Sequence, residues 1–228
     1  PEVNISTIED PIEYQMPRIN QTQVKSDIGF TFSAGLRSLM RQDPDVIMVG
    51  EIRDQETASL AINAALTGHL VLATVHTNSA AGTVARLVDM GIEKFLLTST
   101  LRVAVGQRLV RTLTDSKETY TLTASEKTEL GKHADLDFIL KTLKDEGIVK
   151  DNATWNSIPF YRPKPSNDNP DGYKGRAGIH EVLDMSMTIK DMVMGDKTSD
   201  EVEAQARKEG MLTMLEDGIY KAARGMTS

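Results

Sequence analysis

A run of four apolar residues, Val46–Val49, constrains the fold of this 228-residue chain more than any other feature. A strand that is apolar at every position is typical of a parallel sheet with both faces covered. The run leads into Gly50 and Glu51, and Arg53 and Asp54 follow closely. Because ligands of open α/β sheets gather at the carboxyl ends of strands, this order places a carboxylate at a binding edge. The segment therefore predicts an α/β fold with a Walker B-type element. Such an element positions the magnesium ion that accompanies a nucleotide and the water that attacks its phosphate.

The composition is that of an ordinary globular protein, with 39% hydrophobic and 26% charged residues. A net charge of −7 argues against a nucleic-acid-binding surface that extends over the whole chain. The chain has no cysteines, which excludes disulfides and thiolate zinc sites, and we predict that it binds no zinc. No apolar stretch approaches the roughly 18 residues that a membrane helix needs.

Strands alternate with helices in the first half of the chain, according to the spacing of its apolar residues. The predicted strands are at residues 4–8, 45–49 and 70–75, and the predicted helices are at 31–42, 55–66, 80–90 and 95–113. The strand at 70–75 is apolar at every position except Thr74, so we expect it to be buried like the one before it. This alternation implies right-handed crossovers and a parallel sheet.

The chain changes character after Leu113. Residues 114–172 are polar, with one amphipathic helix near Phe138, and Thr123 with Glu126 forms the pattern of a capping box for this helix or for a preceding turn. Residues 173–228 return to an apolar pattern that ends in two or three helices. We therefore divide the chain into an α/β unit at 1–113, a polar insert at 114–172 and a small, mostly helical C-terminal subdomain at 173–228.

An acidic segment at residues 7–13 is the first candidate for a chemical role. Pro11 disfavours a regular helix there and holds the preceding residue in an extended conformation. In an extended chain Glu9 and Glu13 share one face, and Asp10 takes the other. Carboxylates at the end of a strand can orient the magnesium waters or the attacking water of phosphoryl transfer. A solvated acidic turn is the alternative for this segment taken alone.

The second candidate is Glu51, which can hold a water as general base or join the shell of a magnesium ion. Two roles are open for Arg53 and Asp54. They form an ion pair with each other or with a neighbouring element, or they take a catalytic role. Asp54 also suits the N-cap of the next helix.

Two histidines, His69 and His76, bracket the predicted strand at 70–75. Seven residues at about 3.3 Å each place them roughly 23 Å apart, which excludes a shared metal ion. His76 follows the strand and is expected on the same edge as Glu51, where it can sense or stabilise a γ-phosphate. His69 lies at the opposite end, and its position alone favours a structural role.

The phosphate loop that usually accompanies a Walker B element, G-x-x-x-x-G-K-[ST], does not occur in the chain. The nearest similar segment, Gly131-Lys132-His133, lacks the spaced glycines and a preceding apolar strand.

The order of these segments resembles the secretion ATPase superfamily, and within it the branch of type IV pilus assembly and type II secretion ATPases. Thr7–Glu13 resembles the aspartate box of that family, Arg41–Asp54 its Walker B signature and Gly68–Asn78 its histidine box. The resemblance continues through Gln107–Arg111, Gly172–Arg176 and Gly210–Gly218, and it leaves out only residues 114–171.

This resemblance implies a partial RecA-like P-loop NTPase core that hydrolyses ATP with Mg²⁺. It implies a cytoplasmic ring homohexamer, peripheral at the inner membrane, that drives an inner-membrane platform protein, with no nucleic-acid partner.

The resemblance also assigns roles residue by residue. The catalytic residues are Glu51, Glu13 and His76, with Glu51 reaching the magnesium ion through water. The residues assigned to cofactor binding are Glu9, Asp10, Asp45, Gly50, Arg53 and His69.

The chain departs from the family pattern in two places. Members carry the phosphate loop a few tens of residues before the aspartate box, so we expect this chain to begin after that loop and to lack ATPase activity alone. Many members also hold a four-cysteine zinc clip in the region of residues 114–171. Two other functions stay open: a DNA-uptake or conjugation motor, which predicts a basic or aromatic surface along a nucleic-acid strand, and a non-catalytic ring-forming remnant.

Overall fold

The computed structural model describes residues 2–228. Its strands are β1 (Ile5–Glu9), β2 (Asn20–Gln23), β3 (Val46–Val49), β4 (Leu70–Ala73), β5 (Val103–Leu113), β6 (Lys117–Tyr120), β7 (Phe160–Pro163) and β8 (Tyr173–Asp184). Its helices are α1 (Phe32–Leu39), α2 (Gln55–Leu66), α3 (Ala80–Asp89), α4 (Lys94–Thr100), α5 (Ala124–Leu130), α6 (Leu136–Asp145), α7 (Met187–Met194), α8 (Ser199–Lys208) and α9 (Met214–Ala223). In the described part of the chain, no helix is both long and apolar enough to cross a membrane.

Four parallel strands form the main sheet, in the order β2-β1-β3-β4. Ile8 of β1 lies opposite Val49 of β3, and Val49 lies opposite Ala73 of β4. The carboxyl ends of these three strands therefore meet at one edge of the sheet, and the predicted α/β fold with a parallel sheet is confirmed. Strand β2, a short polar strand next to β1, was not predicted, because it has no apolar run to mark it.

Helix α1 packs closely against β1. The helix begins after Thr31, whose Oγ1 accepts a hydrogen bond from the backbone N of Ala34 at 3.3 Å. A Cβ atom added to Gly35 would lie 1.9 Å from Cδ1 of Ile8, so a glycine is what lets the helix approach the strand. Ile8 and Leu36 are both completely buried at this contact.

Strand β4 differs from the prediction of a second buried strand. Leu70 and Leu72 are 59% and 53% exposed. The strand lies at the end of the sheet, with β3 on one side and no described strand on the other. Its apolar residues therefore lie in a strand at the unpaired edge of the sheet. The order of the strands places it there, and that order is not a local property of the sequence.

The helix predicted for residues 95–113 is wrong beyond Thr100. Helix α4 ends there and the Gln107–Arg111 segment lies in β5, which pairs with β8. The β-branched valines of β5 favour an extended backbone. A Cβ atom at Gly106 would lie 2.8 Å from Cγ of Glu181, so this glycine allows the two strands to come close.

The chain divides into two compact units whose boundaries differ from the predicted ones. The first contains the chain up to Ala104 together with Asp184–Gln205, and the second contains Val105–Leu183 and Ala206–Ser228. Helix α7 belongs to the first unit because it packs against α4. In the second unit the polar segment 114–172 is not a separate insert, because it shares one apolar core with α9. The C-terminal part is also less helical than predicted, since it contributes β8.

A buried carboxylate, Glu216, joins three elements of the second unit. Its Oε1 accepts hydrogen bonds from Nη2 of Arg207 at 2.6 Å and from the backbone N of Asp135, the N-cap of α6, at 2.8 Å. Its Oε2 accepts from the backbone N of Thr213 at 2.9 Å and completes the capping box of α9. The other capping box, predicted at residues 123 and 126, forms at the start of α5.

We expect Glu216→Gln to lower the free energy of unfolding by about 1.5–3 kcal/mol, because hydrogen bonds to a charged group contribute about that much. Urea unfolding followed by the fluorescence of Trp155, the only tryptophan, reports on this unit, since its Nε1 donates to the carbonyl of Leu136 at 3.2 Å. The control is Glu129→Gln, which removes an exposed ion pair with Lys132. Equal losses in the two variants would contradict the role of Glu216.

Candidate active site at the carboxyl edge of the sheet

The loop after β3 is held between the ends of β1 and β4 by backbone contacts. The N–H of Gly50 donates to the carbonyl of Ile8 at 2.7 Å, and the N–H of Ile52 donates to the carbonyl of Thr74 at 2.9 Å. Oγ1 of Thr74 donates to the carbonyl of Gly50 at 2.5 Å. The residue between these anchors, Glu51, is therefore fixed at the edge where the three strands end.

Glu51 has a charged or polar partner on each carboxylate oxygen. Its Oε2 accepts from Nε of Arg53 at 2.5 Å, and its Oε1 lies 2.5 Å from Nε2 of His76. Nη1 of Arg53 is also 3.9 Å from Oδ2 of Asp10. The structure thus brings together four of the residues singled out in the sequence.

The two partners of Glu51 are exposed, with side-chain exposures of 59% for Arg53 and 87% for His76, whereas the Glu51 side chain is 13% exposed. Ion pairs with exposed partners contribute about 0–1 kcal/mol because water and salt screen them. The partners therefore orient the carboxylate at little energetic cost and can be exchanged for a ligand.

Glu9, at the end of β1, is held by buried and half-buried partners instead. Its Oε1 accepts from Oγ1 of Thr7 at 2.5 Å and from Nε2 of Gln21 at 3.0 Å. Both Thr7 and Glu9 are buried. Gln21 was missed in the sequence because it lies in a polar strand that carries no motif.

Glu13 lies apart from this cluster. It is exposed in the loop between β1 and β2, and among the described residues its side chain makes no hydrogen bond or ion pair. Of the three residues predicted to be catalytic, the structure therefore joins Glu51 and His76 but not Glu13. Asp10 takes part through Arg53.

Asp45 and His69 lie at the opposite edge of the sheet, where β3 and β4 begin. Oδ2 of Asp45 accepts from the backbone N of Asn4 at 2.7 Å, and Nδ1 of His69 is 2.8 Å from the carbonyl oxygen of Ala64. A strand of four residues spans about 13 Å. These two residues therefore lie apart from the Glu51 cluster, where β3 and β4 begin, and their assignment to cofactor binding stays a prediction.

Gly50 and Asp54 have structural reasons for their identities. A Cβ atom at Gly50 would lie 3.1 Å from the carbonyl oxygen of Ile8 and 3.2 Å from Cα of Glu9, so a side chain there would push the loop away from β1. Asp54 is the N-cap of α2, because its Oδ1 accepts from the backbone N of Thr57 at 2.8 Å.

The carboxylates at this edge suit a hydrated magnesium ion. Mg²⁺ keeps several waters and is usually bound through one or two carboxylates together with phosphate oxygens. Glu51 and Asp10 supply such carboxylates near the ends of neighbouring strands. Residues 2–228 contain no group of three or more acidic or histidine side chains that could hold a metal ion by themselves. The two carboxylates are therefore a donor set that suits a hydrated magnesium ion.

Comparison with known proteins gives a match along the whole chain. The family model described as "Type II/IV secretion system protein" matches residues 1–228, including the region that the motifs left out. The type II secretion system protein E of Xanthomonas campestris pv. campestris is 47% identical over 227 residues, which cover 100% of this chain and 37% of that protein. The type IV pilus assembly ATPase PilB of Thermus thermophilus is 41% identical over 228 residues, which cover 100% of this chain and 24% of that protein. The chain thus spans well under half the length of these relatives.

Solved structures agree on the fold. The ATPase DotB of Legionella pneumophila superposes with a TM-score of 0.59 at 24% identity, over 99% of this chain and 49% of that one. The pilus retraction motor PilT with bound ADP superposes with a TM-score of 0.53 at 25% identity, over 96% of this chain and 52% of that one. The first sheet and its helices thus have the RecA-like architecture of secretion ATPases.

Proposed function

The chain belongs to the Type II/IV secretion system protein family, and we propose from that premise that it carries the hydrolytic edge of an ATPase motor for type IV pilus assembly or type II secretion. The observation that carries this proposal is the position of Glu51 at the carboxyl end of β3, with its two oxygens oriented by Arg53 and His76. The names of the relatives, a type II secretion protein and a pilus assembly ATPase, support the motor function.

Glu51 acts as the general base in this proposal. An oxygen of its carboxylate takes a proton from the attacking water, whose oxygen bonds to the γ-phosphorus while the bond to the leaving ADP oxygen breaks. His76 is mostly exposed, so its contact with Glu51 can give way to a contact with a phosphate oxygen. Arg53 then keeps the carboxylate in place.

Magnesium and nucleotide complete the site. Glu51 and Asp10 would hold a magnesium ion through its waters, and the ion would offset the negative charge of the phosphates. Glu9 takes no direct part in this proposal, because its oxygen is already paired with Thr7 and Gln21 inside the protein. Glu13 stays a predicted catalytic residue: it is exposed in the loop after β1, apart from the Glu51 cluster.

We propose for the whole protein a ring homohexamer that is cytoplasmic and peripheral at the inner membrane, with an inner-membrane platform protein as its partner. The support is the secretion and pilus assembly function named for the relatives. The net charge of −7 favours this over a motor that acts on nucleic acid.

We expect Glu51→Gln in the full-length protein to lower kcat for ATP hydrolysis by about 10²–10⁴-fold, because an amide cannot accept the proton. The dissociation constant for a fluorescent ATP analogue should stay within about threefold of wild type, since this corresponds to less than 1 kcal/mol of binding energy. The matched control is Glu56→Gln, which removes a carboxylate in α2 that pairs with Arg37 outside the cluster. Unchanged turnover in Glu51→Gln would rule out the proposed base.

We expect the 228-residue chain by itself to release no phosphate from Mg-ATP above the enzyme-free rate. Productive binding of the nucleotide needs a phosphate loop, whose backbone N–H groups and lysine bind the phosphates. This sequence has no such loop. The full-length protein, assayed at the same concentration, is the positive control. Robust turnover by the chain alone would contradict the expectation.

A further inference from the structure

The side chain of Gln21 makes three hydrogen bonds, one to the end of β1 and two to the acidic loop that follows it. Its Nε2 donates to Oε1 of Glu9 at 3.0 Å and to the carbonyl of Tyr14 at 2.9 Å. Its Oε1 accepts from the backbone N of Met16 at 2.7 Å. Gln21 lies in β2, opposite Thr7 of β1. One amide group thus connects the end of β1 with the loop that follows it.

The orientation of this amide is determined by its partners. A carboxylate and a carbonyl both accept, so both N–H groups of Gln21 must point toward them. If the amide were turned over, its oxygen would face the carboxylate of Glu9 and its NH₂ group would face the N–H of Met16. All three contacts would then be unfavourable or lost, so the observed arrangement is the stable one.

The loop depends on these contacts because it has little packing. The side chains of Tyr14 and Met16 are exposed, and so is that of Glu13. Within residues 2–228, the two bonds to Gln21 are the hydrogen bonds that join residues 11–19 to the sheet. The position of the loop relative to Glu9 is therefore set mainly by one side chain.

We propose that Gln21 is a positioning residue for ATP hydrolysis: it holds the loop that carries Asp10 and Glu13 at a fixed place beside Glu9 and the Glu51 cluster. This inference rests on the proposed ATPase function. Gln21 does not touch the reacting atoms. It acts through the loop, so its loss should slow the chemical step more than it weakens nucleotide binding.

The test compares Gln21→Met with wild type in the full-length protein. Methionine keeps the length of the side chain and removes the three hydrogen bonds. We expect kcat to fall about 10- to 100-fold, because a misplacement of about 1 Å can cost that much. KM for Mg-ATP should stay within about threefold. The matched control is Gln23→Met, which changes an exposed glutamine of the same strand and should leave both constants unchanged.

Two further measurements make the result decisive. Hydrogen exchange should show faster exchange at the amide of Met16 in Gln21→Met than in wild type and Gln23→Met. If circular dichroism shows that Gln21→Met does not fold, Gln21→Glu replaces it. That variant keeps an acceptor for Met16 but places a second carboxylate beside Glu9 and removes the donor to Tyr14. It should show the same loss of kcat with a nearly constant KM.

The outcomes separate the two proposals. Suppose that the wild type is active and that a folded Gln21 variant keeps the wild-type kcat or changes only KM. This result would overturn the positioning role and leave the ATPase function standing. An inactive full-length wild type would overturn the ATPase function itself and the positioning role with it. Unchanged exchange at Met16 in Gln21→Met would show that Gln21 does not hold the loop, whatever the activity.

Discussion

The parallel pairing of β3 with β1 on one side and β4 on the other determines where every side chain of the candidate site lies. Parallel strands in register end at the same edge, so residues that follow different strands meet there although they are far apart in the sequence. The hydrogen bond from Gly50 to the carbonyl of Ile8 continues this pairing past the end of β3. This arrangement places Oε1 of Glu51 2.5 Å from Nε2 of His76.

Two glutamates at this edge have similar positions and different environments. Glu9 is buried, and its oxygen is shared by Thr7 and Gln21, so moving it would leave polar groups without partners inside the protein. Glu51 is held by exposed side chains whose contacts water can replace at little cost. The first carboxylate is suited to support the framework, and the second is suited to change partners during a reaction.

The second unit shows how a region without cysteines is held together. A single apolar core joins the segment after β6 to helix α9, and the buried carboxylate of Glu216 ties the starts of α6 and α9 to Arg207. Relatives at 41–47% identity match this region along with the rest of the chain. Apolar packing and one buried, fully hydrogen-bonded carboxylate hold the region in which many family members are expected to have a zinc clip. We keep the prediction that the chain binds no zinc.

Sequence alone was sufficient where the cause of a structure lies within a few residues. The start of the first helix near Thr31, the capping box at Thr123 and the strand that ends before Glu51 all depend on neighbouring side chains and backbone groups. It also predicted that Glu51 and His76 share an edge, since the direction of parallel strands follows from the alternation of strands and helices.

The remainder depended on contacts between distant parts of the chain. Three features follow from the order of the strands in the sheets. They are the unpaired edge at β4, the extended conformation of β5 and the hydrogen bonds of Gln21 to Glu9 and the loop. No local sequence pattern predicts that order, because the packing of the whole sheet determines which strands are neighbours. The sequence by itself therefore determined the family, the parallel α/β fold and the position of a carboxylate, Glu51, at the carboxyl ends of the strands. The tertiary structure alone decided which residues orient that carboxylate and which hold the loop beside it.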